Sequence, residues 1–523
     1  MPEVVDKAII SNRAALTIKY GALGVGAIYS KLQDLVEHDK TRGISTAIFD
    51  IDDATVMSVV EGSTVVNEKD ERGAKTAVDA IQSAHNCDYI LLLDGPDVIP
   101  HINLTPPAGL NDGDAVIPSD LPYASPAAFS RQVSRYLSVT RVVGRLPSSV
   151  GESDPQKLIQ LIDHAIGHVA ASADNFASHF SISADAWKAS TQLSLVNVFG
   201  SHNGLCLSPP DGHNGIDPSL SGTVHLINCH GAQGDWKFYG QQGDVYPIAM
   251  ESSFVGAAAL PKGALVAAEC CYGAELYNYS LLGVAIPMCL TYLSAGTAAY
   301  VGSTNIAYGP AASNAMADLI CQYFLEKALK GASTGRAFLE ARQAFVQTQV
   351  MSTPQNAKTL AQFNLYGDPS LVPVTPTVED AGDMTLTKSM ADTLTPRDEY
   401  LERKARRLAL ESNGRSVAAL STKTTAKISE LETNSLVAVS RFKELATKMG
   451  MDGAIEVYGV SGGAEFRRAN KGMEEDRKIA VTVREGQRTL GNGAEAKNVA
   501  SYKVVIGHIL RDGIFQIDEC ESK

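Results

Sequence analysis

Through roughly the first 375 residues, short apolar runs alternate with longer stretches whose apolar positions recur at helical spacing. That alternation predicts an α/β protein, a sheet with helices on its faces. Strands are expected at Thr46 to Ile51, Tyr89 to Leu93, Val139 to Val143, Leu193 to Phe199, Val224 to Asn228, Ala264 to Ala268 and Ala298 to Gly302. Between them, helices are expected at Ala22 to His38, Gly73 to His85, Asp154 to Ala171 and Ala311 to Leu329. The pattern breaks after Val374. Thr375 to Asp398 is polar, rich in Thr and Asp and bracketed by prolines, which suits a linker. Glu399 to Met449 then mixes charge with apolar residues at helical spacing, and from Ala454 the period changes to two (AIEVYGV, KIAVTV, YKVVIGHIL, GIFQI). The expected organisation is an open, mostly parallel α/β sheet built from subdomains at 1–150 and 151–374, a linker at 375–398, and a C-terminal α+β module at 399–523.

Composition narrows the function classes. The 523 residues are 45% hydrophobic and 20% charged, with a formal net charge of −13. An acidic surface of this kind invites neither the phosphates of nucleic acid nor an anionic membrane. MPEVVDKAII lacks the basic flank and apolar core of a secretory signal, and no run of about 18 apolar residues follows, so a cytoplasmic, non-spanning protein is expected. Eight cysteines in this length are too sparse for a disulfide scaffold. No CxxC occurs, which argues against a zinc site. No cofactor is expected; a structural calcium is not readable without an EF-hand loop.

Candidate chemistry collects at two strand ends, where ligands gather in open parallel sheets. One strand runs into His230 and Gly231 in VHLINCHGAQGDW, and a later one into Glu269, Cys270 and Cys271 in ALVAAECCYGAEL. If the strands are neighbours, an imidazole faces a thiol: it can stabilise the thiolate and later protonate a leaving amine. Gly231 removes a side chain where a substrate backbone would approach, and its N–H could serve an oxyanion hole. Successive strand side chains point to opposite faces, so both cysteines cannot aim at His230. Strand parity alone does not say which one does.

In these residues the chain resembles the gingipain-like cysteine peptidases of the caspase-like superfamily, whose pattern is an apolar strand ending in His-Gly and a later one ending in an acid or amide, a small residue and the nucleophilic Cys. YILLLDGPDVIP, SDLPYAS, VVGRLPSS and FNLYGDPSLVPV resemble further family landmarks in the same order, so the likeness runs from Ala8 to Val374. The resemblance implies a caspase-like fold of two side-by-side α/β subdomains and a cysteine endopeptidase; gingipains are secreted, and the absence of a signal sequence here makes the expected enzyme an intracellular one. It implies Cys271 as nucleophile, His230 as general base and acid, and the backbone N–H groups of Gly231 and Cys271 as the oxyanion hole. Cys270 then takes the small-residue position and Glu269 the acid position. Gingipains cut after Arg or Lys, and Glu269, Asp235, Asp244 and Trp236 are candidates to line such a pocket. Asn197, Asp185 and Glu251 join Asp235 and Asp244 as candidates to orient the imidazole.

The expected partners are protein or peptide substrates, with a regulatory protein or an activating protease. A broad intracellular peptidase needs restraint, so activation is expected through self-cleavage in an exposed loop such as Thr105 to Pro118 or in the linker, through another protease, or through a partner of the C-terminal module. The alternatives are a caspase-like interaction protein whose dyad has lapsed, and a thiol-dependent acyltransferase or amidase.

Overall fold

The computed structural model describes residues 4–212, 220–375, 395–402, 404, 427–430, 437–461, 477–493, 496–510 and 513–523. One ten-stranded sheet organises the first 375 residues. Its strands in chain order are β1 (Lys7–Ser11), β2 (Thr46–Asp50), β3 (Tyr89–Leu93), β4 (Val143–Leu146), β5 (His179–Ala184), β6 (Leu205–Ser208), β7 (Val224–Asn228), β8 (Leu265–Ala268), β9 (Ala299–Ser303) and, after a two-residue strand β10 (Tyr308–Gly309) that belongs elsewhere, β11 (Phe363–Tyr366). The spatial order is β2-β1-β3-β4-β11-β9-β8-β7-β5-β6. Every pairing is parallel except β9 with β11. Two five-stranded parallel halves therefore run in opposite directions and meet at that seam, the mostly parallel α/β sheet the pattern predicts.

Fully buried strands such as YILLL explain the continuous apolar runs, because helices cover both faces; VHLIN is equally buried but carries His225 and Asn228 into the interior. The helices are α1 (Arg13–Thr41), α2 (Glu71–His85), α3 (Pro155–Ile166), α4 (Lys188–Phe199), α5 (Ala317–Leu329) and α6 (Thr334–Thr348). Their starts carry the expected caps: Asn12, Asp70, Asp154 and Ser333 each accept a hydrogen bond from a first-turn N–H of α1, α2, α3 and α6.

Several expectations fail for identifiable reasons. Leu193 to Phe199 is helix α4, not a strand. Its buried positions are Ser190, Thr191, Ser194 and Leu195, while Leu193 and Val196 lie in solvent, so hydropathy misstates which face is inside. The strand expected at Val139 to Val143 is shifted to Val143–Leu146, because the charged Arg145 is a core residue. Helix α3 stops at Ile166 and not Ala171, and α5 begins at Ala317 and not Ala311.

The four landmarks prove to be one buried polar network. The Arg145 guanidinium, fully buried, donates from Nε and Nη2 to Asp120 (2.8 and 2.6 Å) and from Nη1 to the main-chain oxygens of Asp94 and Ile99 (2.9 and 2.7 Å). The Asp120 N–H donates to Asn364 Oδ1 at 2.9 Å. One cation thus ties YILLLDGPDVIP, SDLPYAS, VVGRLPSS and FNLYGDPSLVPV across β3, β4 and β11.

The C-terminal residues form a second sheet from β12 (Lys427–Glu430), β13 (Ile455–Ser461), β14 (Arg477–Leu490), β15 (Lys497–Leu510) and β16 (Gly513–Ser522), with helix α7 (Val437–Lys448) packed on it. Its order is β10-β16-β15-β14-β13-β12, so its outer strand β10 comes from the peptidase sequence. Residues 396–402 and 404 are helical, and β12 falls between them and α7, where helices followed by strands were expected. Most of the 375–398 linker and much of Glu399 to Met449 lie outside the described residues; within the part described, Arg397 and Tyr400 bond Asp6 and Asp88. Thr105 to Pro118 is anchored, contrary to expectation for a cleavable loop: Lys358 pairs with Asp112 and Asp114, and Tyr308 and Tyr272 bond the same acids at 3.0 and 2.8 Å.

Candidate active site

Strands β7 and β8 are parallel neighbours, paired through Ile227 and Ala268. Beyond that pair their ends run on together: the Glu269 N–H donates to the Ile227 oxygen at 2.8 Å. A Cβ on Gly231 would stand 1.9 Å from the Cys271 main-chain oxygen, so only glycine permits this backbone approach. His230, Gly231, Glu269 and Cys271 therefore share one end of the sheet. Cys270 is turned into the core, its thiol toward the Ile227 oxygen at 3.8 Å.

The Cys271 thiol lies between the two polar groups of Ala307, receiving its N–H at 3.2 Å and facing its oxygen at 3.5 Å. Burial pushes the thiol up to about 11, against the pull of the Arg488 charge. Tyr272 next in sequence takes a left-handed φ of 54°, the sharp turn that ends the strand extension.

His230 is boxed by Trp187, with ring centroids 4.3 Å apart, and by Tyr246 at 5.2 Å. Its Nε2 lies 2.7 Å from Gln241 Oε1. The Gln241 amide nitrogen donates to the Gly243 oxygen and the Tyr246 hydroxyl, both at 3.2 Å, which leaves its oxygen to accept from His230. That network assigns the proton to Nε2 and leaves Nδ1, buried and without a hydrogen-bond partner, as the basic nitrogen. Burial, and then the Arg488 and Lys523 charges, hold the imidazole well below its ordinary value, so it is neutral.

Beside this pair sits a closed acidic pocket. Asn228 Oδ1, Glu269 Oε2 and Asp318 Oδ1 accept from a single ammonium, that of Lys523, at 2.8, 2.9 and 2.7 Å. All four side chains are buried, and the Lys523 nitrogen stands 5.3 Å from the Trp187 ring centroid. Asn228 is oriented by donating to Thr191 and Asp318. Burial and the neighbouring Asp318 push the Glu269 carboxyl well above its usual range. Burial opposes the Lys523 charge, but Asp318 and Glu269 outweigh it and hold the ammonium above its ordinary value. Gly309 forms a wall: a Cβ there would meet the Lys523 Cε at 2.1 Å.

Of the residues singled out from sequence, Glu269 alone reaches this pocket. Asp235 accepts from Tyr239 and Lys497, Asp244 sits on an exposed turn, and Trp236 is half-buried under the Lys237 ammonium. The tryptophan at the imidazole is Trp187. Of the orienting candidates, Asn197 bonds Gln322, and Asp185 bonds Gln242; the partner of His230 is Gln241. Asn228 and His230 share strand parity and could have been paired by that signal. Asp318, Gln241, Arg488 and Lys523 carry no local motif. Among the described residues, no group of three or more His, Cys, Asp and Glu is placed to hold a metal ion, and no helix is long and apolar enough to cross a membrane.

A profile of peptidase family C25 matches residues 5–374. The chain belongs to that family: it is a cysteine peptidase, acting on protein substrates. Among solved structures it is similar to the Arg-specific cysteine proteinase gingipain R, with 12% identity and a TM-score of 0.49 over 99% of this chain and 98% of that one. A second solved protease gives 13% identity and a TM-score of 0.46 over 99% and 97%. The Saccharomyces cerevisiae separase–securin complex gives 12% identity and a TM-score of 0.27, covering 45% of this chain and 14% of that one. A search of curated proteins found no match.

Proposed function

We propose that the chain is an endopeptidase that cleaves after lysine, with Cys271 as nucleophile and His230 as acid and base. The observation that carries this reading is the pocket of Asn228, Glu269 and Asp318, which accepts an ammonium at the strand ends that carry His230 and Cys271, two residues on from Asn228 and Glu269. Three oxygens on one point charge suit the three donors of a lysine; a planar guanidinium has five donors in a fixed fork and needs more room than the Gly309 wall leaves.

In the first step the Cys271 proton passes to His230 Nδ1 and the thiolate adds to the scissile carbonyl. The N–H groups of Gly231 and Cys271 receive the oxyanion. The C–N bond then breaks as imidazolium returns its proton to the leaving amine, and water hydrolyses the thioester. Gln241 keeps the Nε2 proton in place throughout. The eight free thiols suit a reducing, cytoplasmic setting, and activation by processing or by a partner belongs to the same reading.

A library of fluorogenic peptides differing only in the residue before the scissile bond tests it. Fastest cleavage after Lys is the expected result. Fastest cleavage after Asp or Leu would sink the assignment.

A further inference from the structure

The end of β16 lies where a substrate would lie. Ser522 and Glu521 pair antiparallel with Tyr308 and Gly309 of β10, and the Lys523 N–H donates to the Ala307 oxygen at 2.9 Å. Ala307 is also the residue whose N–H meets the Cys271 thiol. An extended segment adding to a strand edge, with a side chain dropped into a pocket, is a general mode of peptide recognition. Here the segment belongs to the chain itself, and its lysine fills the pocket assigned above to the substrate.

The segment is held from both sides. Arg488 on β14, itself largely buried, donates to the main-chain oxygens of Ser522 (2.9 Å) and Lys523 (3.2 Å), and its charge lies against the Tyr246 ring beside His230. The Tyr502 N–H of β15 donates to Ser522 Oγ at 2.9 Å. Around this end the module closes the cleft: the Gly491 N–H donates to the Tyr246 oxygen at 2.8 Å, and Lys497 reaches the Gln233 oxygen at 2.8 Å. Cys271 and His230 are left 2% and 1% exposed, too little for a polypeptide to reach them.

We infer that residues 521–523 are an internal pseudosubstrate, occupying the non-primed side of the cleft with Lys523 in the lysine pocket, and that the peptidase is latent until β16 is withdrawn. The inference rests on the lysine-specific reading of the site. Its physical basis is that two carboxylates buried together are costly without a cation. The internal lysine supplies that cation at a high effective concentration, which a free peptide must overcome. Withdrawal of β16 exposes the thiol and empties the pocket in one movement.

The test uses the full chain as wild type, Lys523→Ala and Arg488→Gln. Each is mixed with a thiol-reactive peptide probe bearing lysine next to its reactive group, and labelling of Cys271 is followed by mass spectrometry. Lys523→Ala leaves Glu269 and Asp318 without their cation, so Arg488→Gln, whose residue lies outside the pocket, is the independent variant; folding of each is checked by its thermal transition. Labelling at least about tenfold faster in either folded variant supports latency, as does competitive block of that variant by a synthetic peptide of residues 519–523. Labelling of Cys271 at equal, measurable rates in all three chains would overturn the pseudosubstrate and leave the lysine-specific site standing. Absence of labelling at Cys271 in every chain would overturn the lysine-specific reading of the site and the inference with it.

Discussion

At the scale of single residues, the neighbouring cysteines are the sharpest case. Cys270 is a packing residue pointing to the Ile227 oxygen, and Cys271 stands at the sheet end with His230. In the Arg488→Gln chain, where the C-terminal segment is released, Cys271→Ala is expected to abolish cleavage of a lysyl peptide, whereas Cys270→Ala should retain most of it; full activity with Cys271→Ala would refute the assignment. On the proposed mechanism Gln241, which holds His230 Nε2, is a positioning residue. In the Arg488→Gln chain its replacement by Leu removes the acceptor that fixes the tautomer, so kcat should fall on the order of 100-fold with KM little changed, and the acid limb of the pH–rate profile should move; a change in KM alone would mean a packing role. Asp318→Asn removes one charge from the pocket. A hydrogen bond to a charged group contributes roughly 1.5–3 kcal/mol, so the preference for Lys over Met at the cleavage site should drop by about 10- to 100-fold. Unchanged preference would place the specificity elsewhere.

At the scale of elements, the network around Arg145 ties the four motifs together: VVGRLPSS supplies the guanidinium, YILLLDGPDVIP two main-chain acceptors, SDLPYAS the carboxylate and FNLYGDPSLVPV the amide oxygen that accepts from the Asp120 N–H. Removing the cation alone leaves Asp120 charged and buried. Arg145→Ala is therefore expected to cost about 3–5 kcal/mol of stability, measured by urea unfolding. The double variant Arg145→Leu, Asp120→Leu should cost less than Arg145→Ala, because no orphaned charge remains; a larger loss would show that geometry and not charge pairing sets the value. Strands β3 and β7 were legible to the residue because both faces are covered: β3 is apolar throughout, and β7 keeps Val224, Leu226 and Ile227 as a short apolar run around the buried His225 and Asn228. Helix α4 was not, since its inner face is Ser and Thr packed against polar partners, and burial of small hydroxyls leaves no mark on hydropathy.

At the scale of the whole molecule, the C-terminal sheet and the peptidase sheet are joined through β10, and their side chains share a cluster that includes Leu110, Tyr308, Tyr458, Tyr502 and Cys520. Shared strand pairing and shared apolar contacts make the two units one cooperative body. Fluorescence of Trp187 and hydrogen exchange of the β14 and β15 amides should report the same urea midpoint. Separated midpoints would mean that the module opens independently, as a lid. The sequence by itself determined the α/β class, the two strand ends that carry His230 and Cys271, and the resemblance that ranks the cysteines, because these rest on local periodicity and short contiguous motifs. Only the tertiary structure decided the rest. Asp318 comes to Glu269 from a helix 49 positions on, Gln241 reaches His230 through a turn, and Lys523 arrives from the far end of the chain. Their chemistry depends on burial together in one low-dielectric pocket, and that juxtaposition is a property of chain crossings that no window of sequence contains.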